Sequence, residues 1–455
     1  MSVLAAEANE PIEGKETLLR FHENGMKKRD GLLIGTEHEK FTLDAKTLKP
    51  VPYEGERGIQ ALLWGMQQRF DYAPIMEQGN IIGLSRGLEN VSLEPAGQFE
   101  LSGAPVHDLH QMSVELDRHL DEATKIAHEL GLIFLPVGYH PTATVEDMPW
   151  MPKGRYKIMR DYMPKKGKRG LEMMLLTCTT QANLDYTSEA DMVRKMRVSL
   201  ALQPVVSALF ATSPFKGGKP SGQFTTRCGV WQDVDPDRSG TLPFAFEPGF
   251  GFERYVDYAL DVPMYFVYRD SHYINCAGQS FRDFMQGKLS VLPGQKPLMF
   301  DWINHLTTLY PDVRVKSFIE MRGADVGSPL MIKALPALWV GLLYDDTALN
   351  AAEELIKGWK ARDIEEARRD APRLGMRTVL GKQEMRALAR TIVMLACDGL
   401  KRRNKRSESG SDETRYLASL IELVESDQTQ AERLLALYNG EWRESIQPLF
   451  KAWAL

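Results

Sequence analysis

Four short runs of this chain place oxygen-bearing side chains two residues apart. Glu37 and Glu39 lie in 34–43, and Glu94, Gln98 and Glu100 in 94–101. Gln181 and Asn183 lie in 177–186. In 313–322, Val313, Val315, Ile319 and Met321 alternate with Arg314, Lys316, Phe318, Glu320 and Arg322. In an extended chain, residues i and i+2 point to the same side. Each run therefore reads as a strand with one polar face. If the runs are neighbours in an antiparallel sheet, their carboxylates converge. Like charges repel, so such a cluster calls for a cation. All-oxygen donors suit a hard divalent ion, Mg²⁺ above all. Arg322 beside Glu320 would then set a fixed positive charge where a phosphate can bridge to the metal. A second reading stands beside this one: solvent-facing strand residues and structural ion pairs.

Further candidates sit in loops. Arg227 opens the segment 227–240, which holds Trp231 and three aspartates near Pro236 and Gly240. An arginine there could clamp a carboxylate, while the aspartates read as turn caps. Lys168, in the basic loop 165–169, could close over nucleotide phosphates. His38 points away from Glu37 and Glu39 and reads as a packing residue. His107, His110, His119 and His128 read as surface. There is no Gly-x-x-x-x-Gly-Lys-Ser/Thr, Gly-x-Gly-x-x-Gly, Gly-x-Ser-x-Gly or His-Glu-x-x-His. Any ATP would sit on a sheet and metals rather than in a glycine-rich loop.

Helices must frame these runs. Apolar residues recur every three or four positions over 105–130, from Leu109 to Leu130, with Pro105 to open the helix and Gly131 to close it. Ser188 with Asp191 caps a second long helix reaching about Phe210, with a bend expected at Pro204. After residue 347 come the amphipathic segments 348–360, 382–403, 413–425 and 429–438. The basic run 401–406 reads as a solvated helix end complementing the helix dipole. The core run 334–344 is too short for a membrane span of roughly 20 residues.

The chain has 455 residues, 43% hydrophobic and 26% charged, which excludes a disordered or collagen-like chain. With 56 basic and 61 acidic residues the net charge is −5, so no global field gathers nucleic acid or an anionic membrane. The four cysteines, Cys178, Cys228, Cys276 and Cys397, form no Cys-x-x-Cys and suit a reducing compartment. The start, Met1 to Glu7, has no secretory pattern.

The same residues carry a family resemblance. Ile34-Gly35-Thr36-Glu37-His38-Glu39-Lys40-Phe41, Leu93 to Pro105, Thr177 to Asp185, Trp231 to Gly240, Asp257 to Tyr265 and Glu320-Met321-Arg322-Gly323-Ala324-Asp325 resemble, in order, motifs of plant and proteobacterial glutamate–cysteine ligases. The resemblance runs from about residue 13 to the end. It implies ATP-dependent ligation of L-glutamate, through its γ-carboxylate, to L-cysteine by way of a γ-glutamyl phosphate, the first step of glutathione synthesis. It implies an α+β, glutamine-synthetase-like fold, a curved antiparallel sheet forming the site floor among helices. One catalytic domain over 1–455 is expected, with a sheet-containing core at 13–325 and a helical part at 326–455. The implied metal is Mg²⁺, on Glu37, Glu39, Glu94, Glu100, Gln181 and Glu320. Arg322 is expected to stabilise the transferred phosphate. Arg227 is expected to grip a substrate carboxylate, with Trp231, Arg155 and Asn183 also on the substrates. Flowering-plant members carry two redox cysteine pairs; here those positions hold Ser113 with Lys333 and Cys276 with Val291. No disulfide switch is expected, a monomer is favoured over a homodimer, and a bacterial-style cytoplasmic location is expected. The competing expectations are a related ligase with another amine acceptor and a metal-dependent phosphohydrolase.

Overall fold

The computed structural model describes residues 9–455, so the reading of Met1 to Glu7 lies outside them. Its centre is a nine-stranded sheet of β1 (Ile34–Asp44), β2 (Ala73–Glu77), β3 (Asn80–Arg86), β4 (Glu89–Leu93), β5 (Phe99–Ser102), β6 (Leu132–Leu135), β7 (Thr179–Leu184), β8 (Val313–Val315) and β9 (Ile319–Asp325). The spatial order is β8-β9-β7-β1-β5-β4-β3-β2, with β6 also on β1, and all these pairs are antiparallel. The α+β expectation holds, and the four polar runs do meet in one sheet.

Two of the runs are not single strands. In 94–101, Pro95, Ala96 and Gly97 make the turn between β4 and β5, with Gly97 at φ +80°. Glu94 and Glu100 thus approach from the two arms of a hairpin. The run 313–322 is also a hairpin, β8 and β9, with Val313 opposite Met321 and Arg314 opposite Glu320. A turn centred on Ser317 pairs odd with odd and even with even, so the alternation survives the fold-back. It also sets Arg314 directly across from Glu320.

The back face of the sheet carries Ile34, Ala182, Leu184, Val313, Val315, Ile319 and Met321, all buried in one core. Against it lie α1 (Leu109–Glu129), α2 (Glu189–Leu209) and α3 (Pro329–Leu343), with α4 (Ala361–Leu374) and α5 (Met385–Arg403) packed on those helices. The first of these starts later than expected: Asp108, not Pro105, sets its N-terminus by accepting the Gln111 N–H at 2.9 Å. Ser188 caps α2 as expected, accepting the Asp191 N–H at 3.1 Å. Nearly every side chain of α2 from Val198 onward is buried, as a helix wrapped on all sides must be. Helix α3 packs on β7 and α5, and α4 packs on α2. Between 348–360 and 382–403, α4 was not foreseen.

Helices α3 and α5 cross at Gly341 and Gly399. A Cβ on Gly399 would lie 1.9 Å from the Gly341 carbonyl oxygen. Gly399→Ala must therefore push the helices apart, and a cost on the order of 2–4 kcal/mol is expected. A denaturant midpoint within error of the parent would refute this close crossing.

All four cysteines are free thiols. Ser113 and Lys333 are joined through Asp117 instead, Lys333 donating at 2.6 Å and Ser113 at 3.4 Å. Among the described residues no helix is long and apolar enough to cross a membrane.

Candidate active site

Strand register assembles the site. On β1, Glu37 stands opposite Gln181 of β7 and Ser102 of β5, and Glu39 stands opposite Glu100. Asn183 of β7 faces Glu320 of β9. Directly opposed residues carry their side chains side by side on one face. Glu37, Glu39, Glu100, Ser102 and Gln181, together with Glu94 from the hairpin turn, floor a cavity of about 270 Å³. Lys153, Arg155, Arg227, Arg314, Lys316 and Arg322 line it as cations, and Tyr156, Trp231 and Tyr310 as aromatic walls.

Burial, and then crowding among themselves, disfavours the charged forms of the floor carboxylates. Burial, and then repulsion from Glu94, pushes Glu39 up to about 8, against the pull of Arg227 and of the Thr179 N–H at 3.0 Å. Glu100 stands well above the carboxylate range through burial and the charges of Glu94, Glu37 and Glu39. Burial also raises Glu94, although Arg155, Lys153 and Arg322 oppose it. Such groups share a pocket comfortably only if they bind protons or a cation. Among the described residues no three acidic, histidine or cysteine side chains form a ready-made chelating group. The donors are thus a floor rather than a cage. That fits a hard ion that keeps water and shares its coordination with substrate phosphates.

Glu320 behaves oppositely. Burial alone would raise it. Arg314 at 2.6 Å, Lys316 at 2.8 Å and Arg322 at 2.9 Å hold it well below the usual range. A carboxylate paired with three cations anchors them. Gln181 is likewise engaged: its Oε1 accepts from Arg322 at 2.7 Å.

The remaining expected residues divide. Arg322 lines the cavity between Gln181, Glu320 and the ring of Tyr310. Arg227 lines it too, donating to the carbonyls of Gly323 at 3.1 Å and Arg322 at 2.9 Å while its Nε keeps no partner. Trp231 packs edge-on to Tyr310, with a buried indole N–H that has no partner. Arg155 lies over Tyr156 with its Nε unpartnered. Asn183 lies just outside, holding Glu37 Oε1 at 2.9 Å and lining a neighbouring cavity.

Lys168 is misplaced by the sequence reading. It is exposed, and its main-chain N–H donates to Asp233. The basic loop packs onto 233–237, with Lys166 bonding Asp237 at 2.6 Å, rather than over the site. In that loop Asp235 is a buried cap and ion-pair partner for Arg238 at 2.7 Å. His38 is buried behind the floor, 5.6 Å from the ring of His119, so His119 is not the surface residue expected.

Lys153, Tyr310, Arg314 and Lys316 were missed as site residues. Lys153 donates to Leu93 O at 2.8 Å and Ser92 Oγ at 3.0 Å, and burial pushes it down to about 8. Its only sequence signal was a second basic residue two before Arg155.

A second cavity, of about 330 Å³, adjoins the first and shares Glu37 and Ser102 with it. Leu33, Gly35, Leu88, Pro105 and Phe318 give it apolar walls, and Lys27, Asn183 and Asp185 polar ones.

Comparison with known proteins agrees with this architecture. The model of glutamate-cysteine ligase family 2 (GCS2) matches residues 33–452. The chloroplastic glutamate–cysteine ligase of Nicotiana tabacum is 50% identical over 98% of this chain and 84% of its own. That of Arabidopsis thaliana is 49% identical with the same coverage. Ligase B of Oryza sativa subsp. japonica is 49% identical over 98% of this chain and 88% of its own. A crystal structure of the Francisella tularensis glutamate–cysteine ligase in complex with AMP shares the fold at TM-score 0.55 and 13% identity, over 91% of this chain and 86% of that one. The expected cytoplasmic location is overturned by the three plant relatives, whose names place them in the chloroplast.

Proposed function

Because the chain belongs to glutamate–cysteine ligase family 2, an enzyme family that forms γ-glutamylcysteine with ATP, we propose that the acidic cavity is where its glutamate is activated and joined to cysteine. The observation that carries this placement is the cavity's division: crowded carboxylates on the floor, and six cations around them. Mg²⁺ bound to Glu37, Glu39, Glu94 and Glu100, with Gln181 in support, would neutralise the phosphates of ATP as two anions are brought together.

The donor γ-carboxylate oxygen attacks the γ-phosphorus, ADP departs, and a γ-glutamyl phosphate forms. The cysteine amine then attacks the acyl carbon, loses a proton, and the C–O bond to phosphate breaks. Anion attacks anion in the first step, so electrostatics carries the rate. Arg322, anchored by Glu320, holds the transferring phosphoryl group. Arg227 grips an amino-acid carboxylate with the N–H groups it does not spend on the backbone. Arg155 supplies a second cation for the substrates. Trp231, Tyr310 and Tyr156 wall out water, which would otherwise hydrolyse the acyl phosphate.

The second cavity takes the nucleoside. Its apolar walls suit a purine, and its shared edge at Glu37 delivers the phosphates to the floor. Gly35→Val would push a side chain against Asn183, whose Cβ is 3.1 Å from a Cβ placed at position 35. The KM for ATP is expected to rise about tenfold, with that for glutamate unchanged. Equal effects on both would move the nucleoside elsewhere.

The whole chain acts as one catalytic unit, since helix α3 of the C-terminal part packs directly on β7. Another amine acceptor and simple phosphohydrolysis are the weaker readings, since neither follows from the family. The test is ADP release with Mg-ATP and glutamate while acceptors are varied, with products identified by mass. Turnover that requires cysteine and yields γ-glutamylcysteine is expected. ADP release independent of any acceptor would overturn the reading.

A further inference from the structure

One buried carboxylate takes no part in the mechanism above. Asp325 ends β9, three residues beyond Arg322, with no exposed surface. Its Oδ2 accepts from Ser213 Oγ at 2.6 Å and from the Thr212 N–H at 3.0 Å. Its Oδ1 accepts from Thr225 Oγ1 at 2.9 Å. Both hydroxyls then touch the segment that bears Arg227. Thr225 caps the short helix Thr226–Val230 by accepting the Cys228 N–H at 3.1 Å. Ser213 Oγ accepts the main-chain N–H of Arg227 at 3.4 Å.

The side chain of Arg227 closes the circuit. It returns to β9 and donates to the carbonyls of Arg322 and Gly323, which face it because the strand register shifts between Met321 and Ala324. Its guanidinium lies 3.9 Å from Asp325. A carboxylate stripped of water binds hydroxyl and amide donors strongly and tolerates little displacement. Small errors in the aim of a catalytic cation cost large factors in rate or binding.

We propose that Asp325 is a positioning residue for catalysis, mounting Arg227 through Thr225 and Ser213. This rests on the reading of Arg227 as the grip on an amino-acid carboxylate.

The test is steady-state kinetics on the full chain with Mg-ATP, glutamate and cysteine. Arg227→Lys first identifies the amino acid that Arg227 holds, as the one whose KM rises. Thr225→Val keeps the shape of the cap but removes its hydroxyl. It is expected to raise the KM of that same amino acid about tenfold, with the KM of ATP within about twofold. Thr225→Ser restores the hydroxyl and is expected to return the KM to near the parent value. Asp325→Asn should show the same selective pattern. Because a Cβ on Gly138 would lie 2.2 Å from Asp325 Cγ, the junction is tight and Asp325→Asn is at risk of misfolding; the threonine pair decides the question if it does. A KM shift in Arg227→Lys with unchanged KM values in folded Thr225→Val overturns the mount alone. So does a loss in Thr225→Val that falls on kcat only with a lowered Tm, since that is a packing defect. An Arg227→Lys enzyme with parental KM values overturns the Arg227 reading, and the mount with it.

Discussion

Arg322→Ala is expected to lower kcat about a thousandfold, with the fold intact. The size follows from the chemistry, since a carboxylate attacking a polyphosphate gains nothing until negative charge is met by positive. Arg322 reaches the cavity from β9, held by Glu320 at 2.9 Å and Gln181 at 2.7 Å. The survival of the fold follows from the surroundings. Removing Arg322 leaves Glu320 still paired with Arg314 and Lys316, so no buried charge is stranded. Arg322→Lys should recover little, because a point charge cannot fork between Glu320, Gln181 and a phosphate oxygen. Single-turnover formation of ADP reads the step directly. A variant that keeps a tenth or more of parental turnover would remove Arg322 from the chemistry.

Glu100→Gln is expected to act in two directions at once. Activity should fall about a hundredfold or more, since a ligand for the cation is lost. The metal-free protein should become more stable, because Glu100 stands opposite Glu39 and is buried among Glu94, Glu37 and Glu39. The pH dependence has a definite sign. Glu39 sits near 8 in the folded chain against 4.5 as an ordinary carboxyl, and Glu100 is displaced the same way. The folded state therefore holds protons that the unfolded chain has released. Stability is full below about pH 4.5 and is lost as pH rises through about 8. In chelator, the parental Tm should fall across this range. Saturating Mg²⁺ should flatten the fall, because a bound cation replaces the protons. In Glu100→Gln both the fall and the Mg²⁺ response should shrink. A parental Tm that is flat from pH 5 to 8 in chelator, or an unchanged Mg²⁺ response in the variant, would refute the floor as a cation site.

Much of the site was legible because a strand's period of two is a local property. Glu37 with Glu39, Gln181 with Asn183, and Glu320 with Arg322 share faces whatever their partners are. The alternation in 313–322 even survived a mistaken strand, since a hairpin centred on Ser317 preserves odd and even faces. The cap at Ser188 is equally local, a side chain reaching the N–H three residues on. The missing P-loop and the acidic pairs together pointed to a sheet-and-cation site before any neighbour was known.

Tertiary structure decided what those faces meet. The pairing of Glu39 with Glu100 joins residues far apart in the chain, and that of Glu320 with Asn183 residues farther apart still; no local period specifies such register. Burial and counter-charge then gave chemically identical carboxylates opposite fates. Glu39 and Glu100 were buried among other carboxylates, while Glu320 was surrounded by three cations. Lys153 entered the cavity because its segment folds over the β4–β5 hairpin, and Lys168 left it because its loop lies on 233–237. The sequence by itself determined which groups are present and which side of each strand they occupy. Only the three-dimensional fold determined which charges are dehydrated together, because the energy of a charge depends on what surrounds it in space and not on its neighbours along the chain.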